Sequence, residues 1–312
     1  MIVCAGEALI DMLPRQLPDG SDIFLPVPGG AIFNTAIALG RLGENVQFFS
    51  GLSTDMFGRR LVACLEESGA GTTLCKRVPR PTTLAFVTLA DGNAHYSFYD
   101  ERTAGRMLDI VDLPDLPQET AALHFGAISL IPEPCGSAYE ELMRRYHGGP
   151  VISFDPNIRP GFVDDEAAYR NRLRRMAGMS DIIKVSEEDL SWLEPHRRFE
   201  QIARDWIANG AKVVVLTRGE DGARAITKTL DVGIPAVETT VVDTVGAGDS
   251  FNAGFLAGLR RQGVLSKPML VSLSCDALTT SLKFAAQIAA FTVGQSGANP
   301  PWENQLSQRK TD

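Results

Sequence analysis

The stretch Asp243-Thr-Val-Gly-Ala-Gly-Asp249-Ser-Phe-Asn-Ala-Gly-Phe-Leu256 places three small residues directly before an aspartate and an apolar, small-residue run. This run predicts a helix that begins at Asp249 and continues to about Leu259. A turn of small residues before a helix leaves backbone N–H groups free, and with the helix dipole these groups form a site for an anion. The stretch therefore predicts an anion-binding turn at Gly246-Ala247-Gly248.

Asp249 requires a separate explanation, because its charge would repel an anion bound at this turn. A carboxylate in this place can take a proton from a hydroxyl group that attacks phosphorus. The alternative is that Asp249 only caps the helix, which aspartate does well. The residues by themselves leave both interpretations open. The sequence contains neither a GxxxxGK[ST] phosphate loop nor a GxGxxG fingerprint, so the common nucleotide-binding motifs are absent.

Segments with strand character alternate with helical segments along the 312 residues. The predicted strands are 1–5, 46–50, 122–125, 151–154, 182–185 and 213–217, and the predicted helices include 34–42, 56–68, 167–177 and 199–208. This alternation predicts an α/β fold, with a mostly parallel sheet that carries helices on both faces. Gly254 and Gly258, one helical turn apart, predict tight packing of their helix on the sheet.

Two regions lack helical segments and predict a second, smaller sheet. Residues 10–17 and 22–27 read as extended segments, as do 83–89 and 95–100, and the loop 90–94 between the last two predicts a hairpin. The small sheet is either a lid or an extension at the edge of the main domain, and the sequence favours neither.

Composition excludes several classes of function. A net charge of -8 argues against a general surface for nucleic acid or anionic membrane, and no apolar run approaches the length of a membrane span. The N-terminus has no basic segment of the kind that starts a signal peptide. The five cysteines are scattered without a CxxC pair, which predicts a protein of the reducing cytoplasm, and the four histidines have no metal-ligand spacing.

The stretch 243–256 closely resembles the C-terminal signature of the ribokinase-like (PfkB) carbohydrate kinases. Their N-terminal signature is similar to residues 29–36, followed by 40–43 and 51–58. The resemblance extends over almost the whole chain. It implies a Rossmann-like domain of residues 1–10, 29–78 and 104–312 and a β-sheet lid of residues 11–28 and 79–103. It also implies a kinase that uses ATP with Mg²⁺ to phosphorylate a sugar hydroxyl.

The resemblance assigns roles to individual residues. Asp249 would be the base, and Gly246, Ala247 and Gly248 would bind the charge on the transferred phosphoryl group. The residues implied to bind the sugar are Asp11, Gly29, Gly30, Asn34, Phe98 and Arg159. Phe98 rather than Tyr99 is expected on the inner face of the lid, because neighbouring strand residues face opposite ways. The residues implied to bind ATP are Thr217, Gly219, Gly222, Gly246, Gly248 and Ala286.

The metal sites implied by the resemblance involve few side chains. Mg²⁺ would arrive with ATP and would have no direct protein ligand. Ser186 stands where the family has an asparagine and Asp189 where it has a glutamate, so Asp189 would act on the metal through water. A K⁺ ion near the carbonyl groups of Asp243 and Val245 is a further implication.

Several segments, including the lid stretch 96–104, resemble bacterial fructokinases more than ribokinases or adenosine kinases. They imply transfer from ATP to fructose, with fructose 6-phosphate as the product. A 2-dehydro-3-deoxygluconokinase, or another sugar kinase of the family, is the alternative within the enzymes. A sugar or nucleotide sensor without catalysis is the alternative from another class. The expected partners are a small sugar and ATP, with a homodimer formed through the lid.

Overall fold

The computed structural model describes residues 1–90 and 93–308, and of residues 88–90, 93–96 and 307–308 it describes the backbone alone. Its main sheet has nine strands in the order β15-β14-β13-β12-β11-β10-β1-β4-β6. These strands are β1 (Ile2–Ala5), β4 (Val46–Phe49), β6 (Ala70–Gly71), β10 (Ala122–Gly126), β11 (Val151–Asp155), β12 (Ile182–Ser186), β13 (Val213–Thr217), β14 (Ala223–Ile226) and β15 (Asp231–Ile234). All pairings from β6 to β13 are parallel, whereas β14 and β15 are antiparallel.

Ten α-helices accompany these strands in the described part of the chain. They are α1 (Ala31–Arg41), α2 (Met56–Glu67), α3 (Cys135–Tyr146), α4 (Glu166–Gly178), α5 (Glu187–Leu193), α6 (Phe199–Ala208), α7 (Ala247–Arg261), α8 (Lys267–Val271), α9 (Cys275–Val293) and α10 (Glu303–Gln308). The predicted α/β fold is confirmed, and the predicted strands and helices lie within a few residues of those observed. The helix that contains Asp249 begins two residues earlier than predicted, at Ala247.

The main sheet separates two hydrophobic cores. Side chains alternate along β1, so that Ile2 and Cys4 lie in the core under α1, α7 and α9, whereas Val3 and Ala5 lie in the core under α3, α4 and α6. Because both faces of the sheet are covered, its strands are apolar almost throughout. Charged residues within these strands are therefore exceptions that need a reason.

The small sheet is built as the sequence predicts. It has four strands in the order β3-β2-β8-β9, which are β2 (Leu9–Gln16), β3 (Asp22–Gly29), β8 (Leu84–Ala90) and β9 (Asn93–Tyr99). Ala90 pairs with Asn93, so the hairpin loop is shorter than the predicted 90–94, and Asp91 and Gly92 lie outside the described residues. The short strands β5 (Gly51–Ser53) and β7 (Lys76–Val78) pair with each other in a separate, parallel two-stranded sheet.

Gly254 and Gly258 pack helix against helix, and the predicted contact with the sheet was wrong. A Cβ atom on Gly254 would lie 2.7 Å from Cα of Ala285, and one on Gly258 would lie 2.9 Å from Cα of Ser281. Both neighbours belong to α9, so the two glycines let α7 and α9 approach backbone to backbone. The spacing of the two glycines in the sequence indicated that their helix packs closely on another element, but it did not identify that element.

The chain order of the strands reverses between β1 and β10. From β10 the sheet runs through β11, β12 and β13, whereas on the other side of β1 it continues to β4 and β6. Such a reversal opens a crevice at the carboxyl ends of the parallel strands. Within the described residues, no helix is long and apolar enough to cross a membrane.

Candidate active site

The site is built at the carboxyl edge of the main sheet, where the first turns of α1 and α7 meet. Asn34, in α1, donates a hydrogen bond of 2.9 Å from Nδ2 to Oδ2 of Asp249, in α7. Thr35 donates from its hydroxyl to the backbone carbonyl of Asp249, over 3.2 Å. These two contacts join segments 215 residues apart in the sequence. They fix the Asp249 carboxylate at the beginnings of two helices, where the helix dipoles favour a negative charge.

The Asp249 carboxylate is buried, with 7% of the residue exposed. Burial raises the pKa of Asp249 to about 7, and the negative charge of Asp155 adds to the increase. The hydrogen bond from Asn34 and the positive charges of Lys184 and Arg159 act in the opposite direction. A carboxyl group with a pKa near neutrality can take up and release a proton at physiological pH, as a general base must.

The turn before Asp249 requires glycine at Gly246 for two reasons. Its backbone is left-handed, with a φ of 78°, and a Cβ atom would lie 2.5 Å from Cβ of Ala298. Of the N–H groups in this turn, that of Ala247 donates to the Thr244 carbonyl over 3.3 Å. The N–H groups of Gly248 and Asp249 lie in the first turn of α7, where no helical acceptor exists for them. They are the groups that the predicted anion site at this turn would use.

A buried charge pair lies directly beside this turn. Lys184 donates from Nζ to Oδ2 of Asp155 over 3.0 Å, and Asn252, in α7, donates to the same oxygen over 2.7 Å. A Cβ atom on Gly248 would lie 3.2 Å from Nζ of Lys184, so the ammonium group faces the first turn of α7. Sequence reasoning assigned no role to these three residues. The available signal was the charge of Lys184 within the apolar strand β12 and of Asp155 at the end of β11.

Of the residues predicted to bind the sugar, Asn34 contacts Asp249 directly, and Arg159 is near enough to affect its pKa. The Asp11 carboxylate packs on Gly29, where a Cβ atom would lie 2.2 Å from its Oδ2, and burial raises the pKa of Asp11 to about 6. Gly30 precedes α1 with a φ of 113°. Arg159 is exposed in the loop after β11, and its charge lowers the pKa of Asp249.

A cavity of about 630 Å³ has Phe98 on its wall, but none of the other residues predicted to bind the sugar, and not Asp249. It lies at the crevice where the chain order reverses, since Glu7 and Ala8 follow β1 and Ile128 and Ser129 follow β10. The lid contributes Phe98, whose ring lies 4.3 Å from that of Phe162, between centroids, while Tyr99 is largely exposed. Phe98 therefore lies on the inner face of the small sheet, as expected.

Glu7 lines this cavity and was also missed in the sequence. Its Oε1 accepts hydrogen bonds from the backbone N–H groups of Ala31, over 2.7 Å, and of Ile32, over 3.4 Å. Glu7 therefore supplies the cap that Gly30 cannot give to α1. Burial raises the pKa of Glu7 to about 7. No short-range sequence signal identifies it, because the cap comes from a residue 24 positions away.

The residues predicted to bind ATP are less closely grouped around the same edge. Thr217 ends β13 and donates from its hydroxyl to the Val185 carbonyl over 3.4 Å. Gly219 and Gly222 follow it with positive φ values of 52° and 87°. Ala286 is buried in α9, which packs along α7. The loop before α7 exposes Val241 and Val242, an apolar surface beside the turn at Gly246.

Asp189 is buried and fully engaged by the protein. Its Oδ1 accepts from the N–H of Ile158 over 2.7 Å, and its Oδ2 accepts from the N–H and hydroxyl of Ser186. Asp189 therefore ties the loop after β11 to the start of α5. Around the described residues, no group of three or more acidic, histidine or cysteine side chains could hold a metal ion. The Asp243 carboxylate accepts from the N–H groups of Val245 and Gly297, which shapes the loop before α7.

Comparisons with known proteins agree with this geometry. The model of the pfkB family of carbohydrate kinases matches residues 1–305. A fructokinase of Rhizobium leguminosarum bv. trifolii is 52% identical over 278 residues, which cover 89% of this chain and 85% of that protein. Fold, site and sequence thus define an α/β carbohydrate kinase. The protein belongs to the pfkB family.

Two solved structures extend the comparison to bound ligands. A fructokinase of Xylella fastidiosa with bound ATP matches with a TM-score of 0.91 and 30% identity, covering 100% of this chain and 99% of that one. A fructokinase of Vibrio cholerae O395 in a form with fructose, ADP and calcium ion matches with a TM-score of 0.82 and 25% identity. The latter match covers 95% of this chain and 94% of that chain.

The buried pair beside the turn leads to a prediction about stability. Replacement of Lys184 by Met should lower the free energy of unfolding by about 3–5 kcal/mol, because Asp155 would stay buried without its cation. The double variant Lys184→Met, Asp155→Asn should recover part of this loss, and Lys228→Met, at an exposed lysine, should change little. Urea denaturation measures all three. A loss below about 1 kcal/mol in the single variant would contradict a strongly coupled pair.

Proposed function

We propose that the protein transfers the γ-phosphoryl group of ATP to fructose and produces fructose 6-phosphate. The observation that carries the proposal is the buried Asp249 carboxylate, held by Asn34 beside the free N–H groups of α7. Support for the sugar comes from the 52% identity to a fructokinase and from the neighbour that holds fructose and ADP. Support for the nucleotide comes from the neighbour with bound ATP.

In the proposed reaction, Asp249 is the general base. Its carboxylate takes the proton of the sugar hydroxyl as the sugar oxygen attacks the γ-phosphorus. A bond from sugar oxygen to phosphorus forms, the bond to the β-phosphate oxygen breaks, and ADP leaves with that electron pair. The pKa of about 7 suits this role, because the group is about half ionised at pH 7, largely ionised above it, and still basic enough to accept the proton.

The charge on the transferred group is stabilised at the start of α7. The turn Gly246-Ala247-Gly248 presents the N–H groups of Gly248 and Asp249, and the small residues let phosphate oxygens approach the backbone. Lys184, whose ammonium group faces this turn, adds positive charge beneath it. We assign the other phosphates of ATP to Thr217, which ends β13, and to Gly219 and Gly222, which follow it. Ala286 is proposed to lie near the adenine ring.

The sugar is proposed to bind between the main domain and the small sheet. Asp11 accepts hydrogen bonds from its hydroxyl groups, and Gly29 and Gly30 allow the backbone to approach it. Asn34 holds the base, Arg159 reaches the sugar or the phosphoryl group, and Phe98 covers the sugar from the lid.

The residues fit a magnesium ion that arrives with ATP. Asp189 lies at the start of α5, directly after β12, and its oxygens already accept three hydrogen bonds from the protein, so it is placed to act through water. When bound, Mg²⁺ neutralises phosphate charge. A K⁺ ion at the carbonyl groups of Asp243 and Val245 is a further part of the proposal, since the Asp243 side chain fixes this loop.

The charges of the cavity favour a neutral sugar over a sugar acid. The acidic and basic residues on its wall are Glu7, Asp100, Glu133, Asp164, Asp165, Arg106 and Arg172. Both arginines are already paired, Arg106 with Asp100 over 2.8 Å and Arg172 with Glu133 and Glu140. A substrate carboxylate would meet mostly negative charge here. Repulsion between like charges at short range would weaken its binding.

A substrate panel tests the proposed sugar. Fructose should be phosphorylated with the highest kcat/KM, and 2-dehydro-3-deoxygluconate should be a poor acceptor for the electrostatic reason given above. ADP formation measured by a coupled assay, with the sugar product identified by NMR, gives both rate and position. Turnover of the acid sugar without turnover of fructose would overturn the proposal in favour of a 2-dehydro-3-deoxygluconokinase.

A second prediction concerns the base. Asp249→Asn should lower kcat by about 10²–10⁴-fold or more, because the amide cannot take up the proton. Sugar affinity should be largely kept, since the amide retains the size and one acceptor oxygen. The kcat/KM of the wild type should fall as pH drops through about 7, where Asp249 becomes protonated, and the residual rate of the variant should lack this dependence.

The same variant tests the capping alternative. Asn caps helices about as well as Asp, so a mere cap predicts an unchanged Tm and an unchanged rate. We expect a nearly unchanged Tm with a large loss of kcat. A kcat close to that of the wild type would remove Asp249 as the base.

We further propose that residues 11–28 and 79–103 form a lid that closes over the sugar and excludes water, which would otherwise compete as acceptor. Hydrogen exchange in both segments should slow when fructose and a non-hydrolysable ATP analogue bind. Equal exchange with and without ligands would contradict closure.

The outer face of the small sheet supports a homodimer formed through the lid. Phe24 and Tyr99 expose 43% and 60% of their surface there, and each packs edge-on against Phe86. Sedimentation velocity distinguishes a dimer from a monomer.

All five cysteines have free thiols, which is the state that the proposed cytoplasmic location maintains.

A further inference from the structure

Two side chains that line the large cavity each have a buried polar atom without a hydrogen-bond partner among the described residues. These atoms are Oε2 of Glu7 and Oη of Tyr169. Buried polar groups in folded proteins are nearly always satisfied, because an unsatisfied one costs about 1–3 kcal/mol. Two such atoms on the wall of one cavity indicate that a polar ligand completes them.

Tyr169 is held in place by packing alone. It lies in α4, only 3% of it is exposed, and its ring packs against Trp192 with centroids 5.9 Å apart. Burial, and then the charges of Asp189 and Glu7, raise the pKa of its hydroxyl. The phenol is therefore protonated at neutral pH and available as a donor. Nothing in the proposed phosphoryl transfer uses this hydroxyl.

Glu7 offers the complementary group. Its Oε1 is occupied by the N–H groups of Ala31 and Ile32, so the orientation of the carboxylate is fixed and only Oε2 remains free as an acceptor. The same helix positions the reacting group, since Asn34 binds Asp249. Ala31 and Asn34 are three residues apart, which is about 4.5 Å along the helix axis. Glu7 and Asp249 thus contact α1 about one turn apart.

We propose that Glu7 and Tyr169 bind hydroxyl groups at the end of the sugar remote from the phosphorylated position and thereby determine which sugar is accepted. This inference rests on the proposed function, since it takes the ligand to be the acceptor sugar beside Asp249. Oε2 of Glu7 accepts a hydrogen bond from one sugar hydroxyl, and Oη of Tyr169 donates one to another oxygen. A sugar without these groups would leave both atoms buried and unpaired, which is a strong basis for discrimination.

The variants Tyr169→Phe and Glu7→Gln test the proposal. Tyr169→Phe should weaken fructose binding about 3- to 10-fold, the range for one neutral hydrogen bond. Glu7→Gln should weaken it about 10- to 100-fold, because the acceptor oxygen Oε2 is replaced by an NH₂ donor. Gln keeps an oxygen for the N–H of Ala31, so α1 should remain capped. The matched controls are Tyr99→Phe and Glu67→Gln, at exposed positions, which should leave binding unchanged.

Sugar affinity is measured by calorimetric titration without nucleotide, and KM and kcat are measured separately. We expect KM to rise with the dissociation constant, kcat to fall much less, and Tm to stay within a few degrees. A series of monodeoxy fructoses then locates the contact. One of these deoxy sugars should bind the wild type more weakly than fructose does. The same sugar and fructose should bind Tyr169→Phe equally, because the hydroxyl that the sugar lacks is the partner of the hydroxyl that the variant lacks.

Two outcomes separate this inference from the proposed function. If the wild type phosphorylates fructose and both variants bind it normally, the inference is wrong and the function stands. If the wild type phosphorylates no sugar in the panel, the proposed function is wrong, and the titrations still show whether the two side chains bind sugar. A third outcome would also overturn the inference. If Tyr169→Phe binds fructose weakly and binds every deoxy sugar more weakly still, the variant has undergone a general change in packing.

Discussion

The site depends on the hydrogen bond between Asn34 and Asp249. It joins the first turns of α1 and α7, which come from opposite ends of the chain, and it holds a carboxylate where burial and neighbouring charges oppose each other. Desolvation alone would keep Asp249 protonated, whereas the amide of Asn34 and the cations Lys184 and Arg159 favour its ionised form. The balance gives a carboxyl group with a pKa near neutrality, which the proposed base requires.

Several glycines in and directly before α7 allow the first turns of α1 and α7 to approach each other. Gly246 adopts a left-handed conformation against Ala298, and Gly254 and Gly258 let α7 lie directly on α9. Beneath the turn, the pair of Lys184 and Asp155 brings a positive charge into the core with its counter-ion. A buried pair of this kind contributes little net stability. Its position beside Gly248 indicates that it serves the electrostatics of the site.

The proposals separate reactivity from recognition. Asp249 and the turn before it, which belong to one family motif, are proposed to transfer the phosphoryl group. Glu7 and Tyr169 lie on the wall of the cavity, outside both motifs, and are proposed to bind the sugar. The crevice at the reversal of strand order lets segments that follow β1, β10 and β11 contribute to one wall. On these proposals, selectivity for a sugar can change without change in the residues that transfer the phosphoryl group.

The sequence by itself determined the α/β architecture, the small sheet and the small-residue turn before α7, because these follow from local periodicity and from small residues before a helix. Strand alternation also indicated that only one of Phe98 and Tyr99 faces inward. Only the tertiary structure decided that Gly254 and Gly258 contact a helix rather than the sheet, that Glu7 caps α1 from 24 residues away, and that Lys184, Asp155 and Asn252 form one group. These contacts join residues distant in the chain, and their geometry is set by the packing of whole elements. No local pattern of residues can specify them.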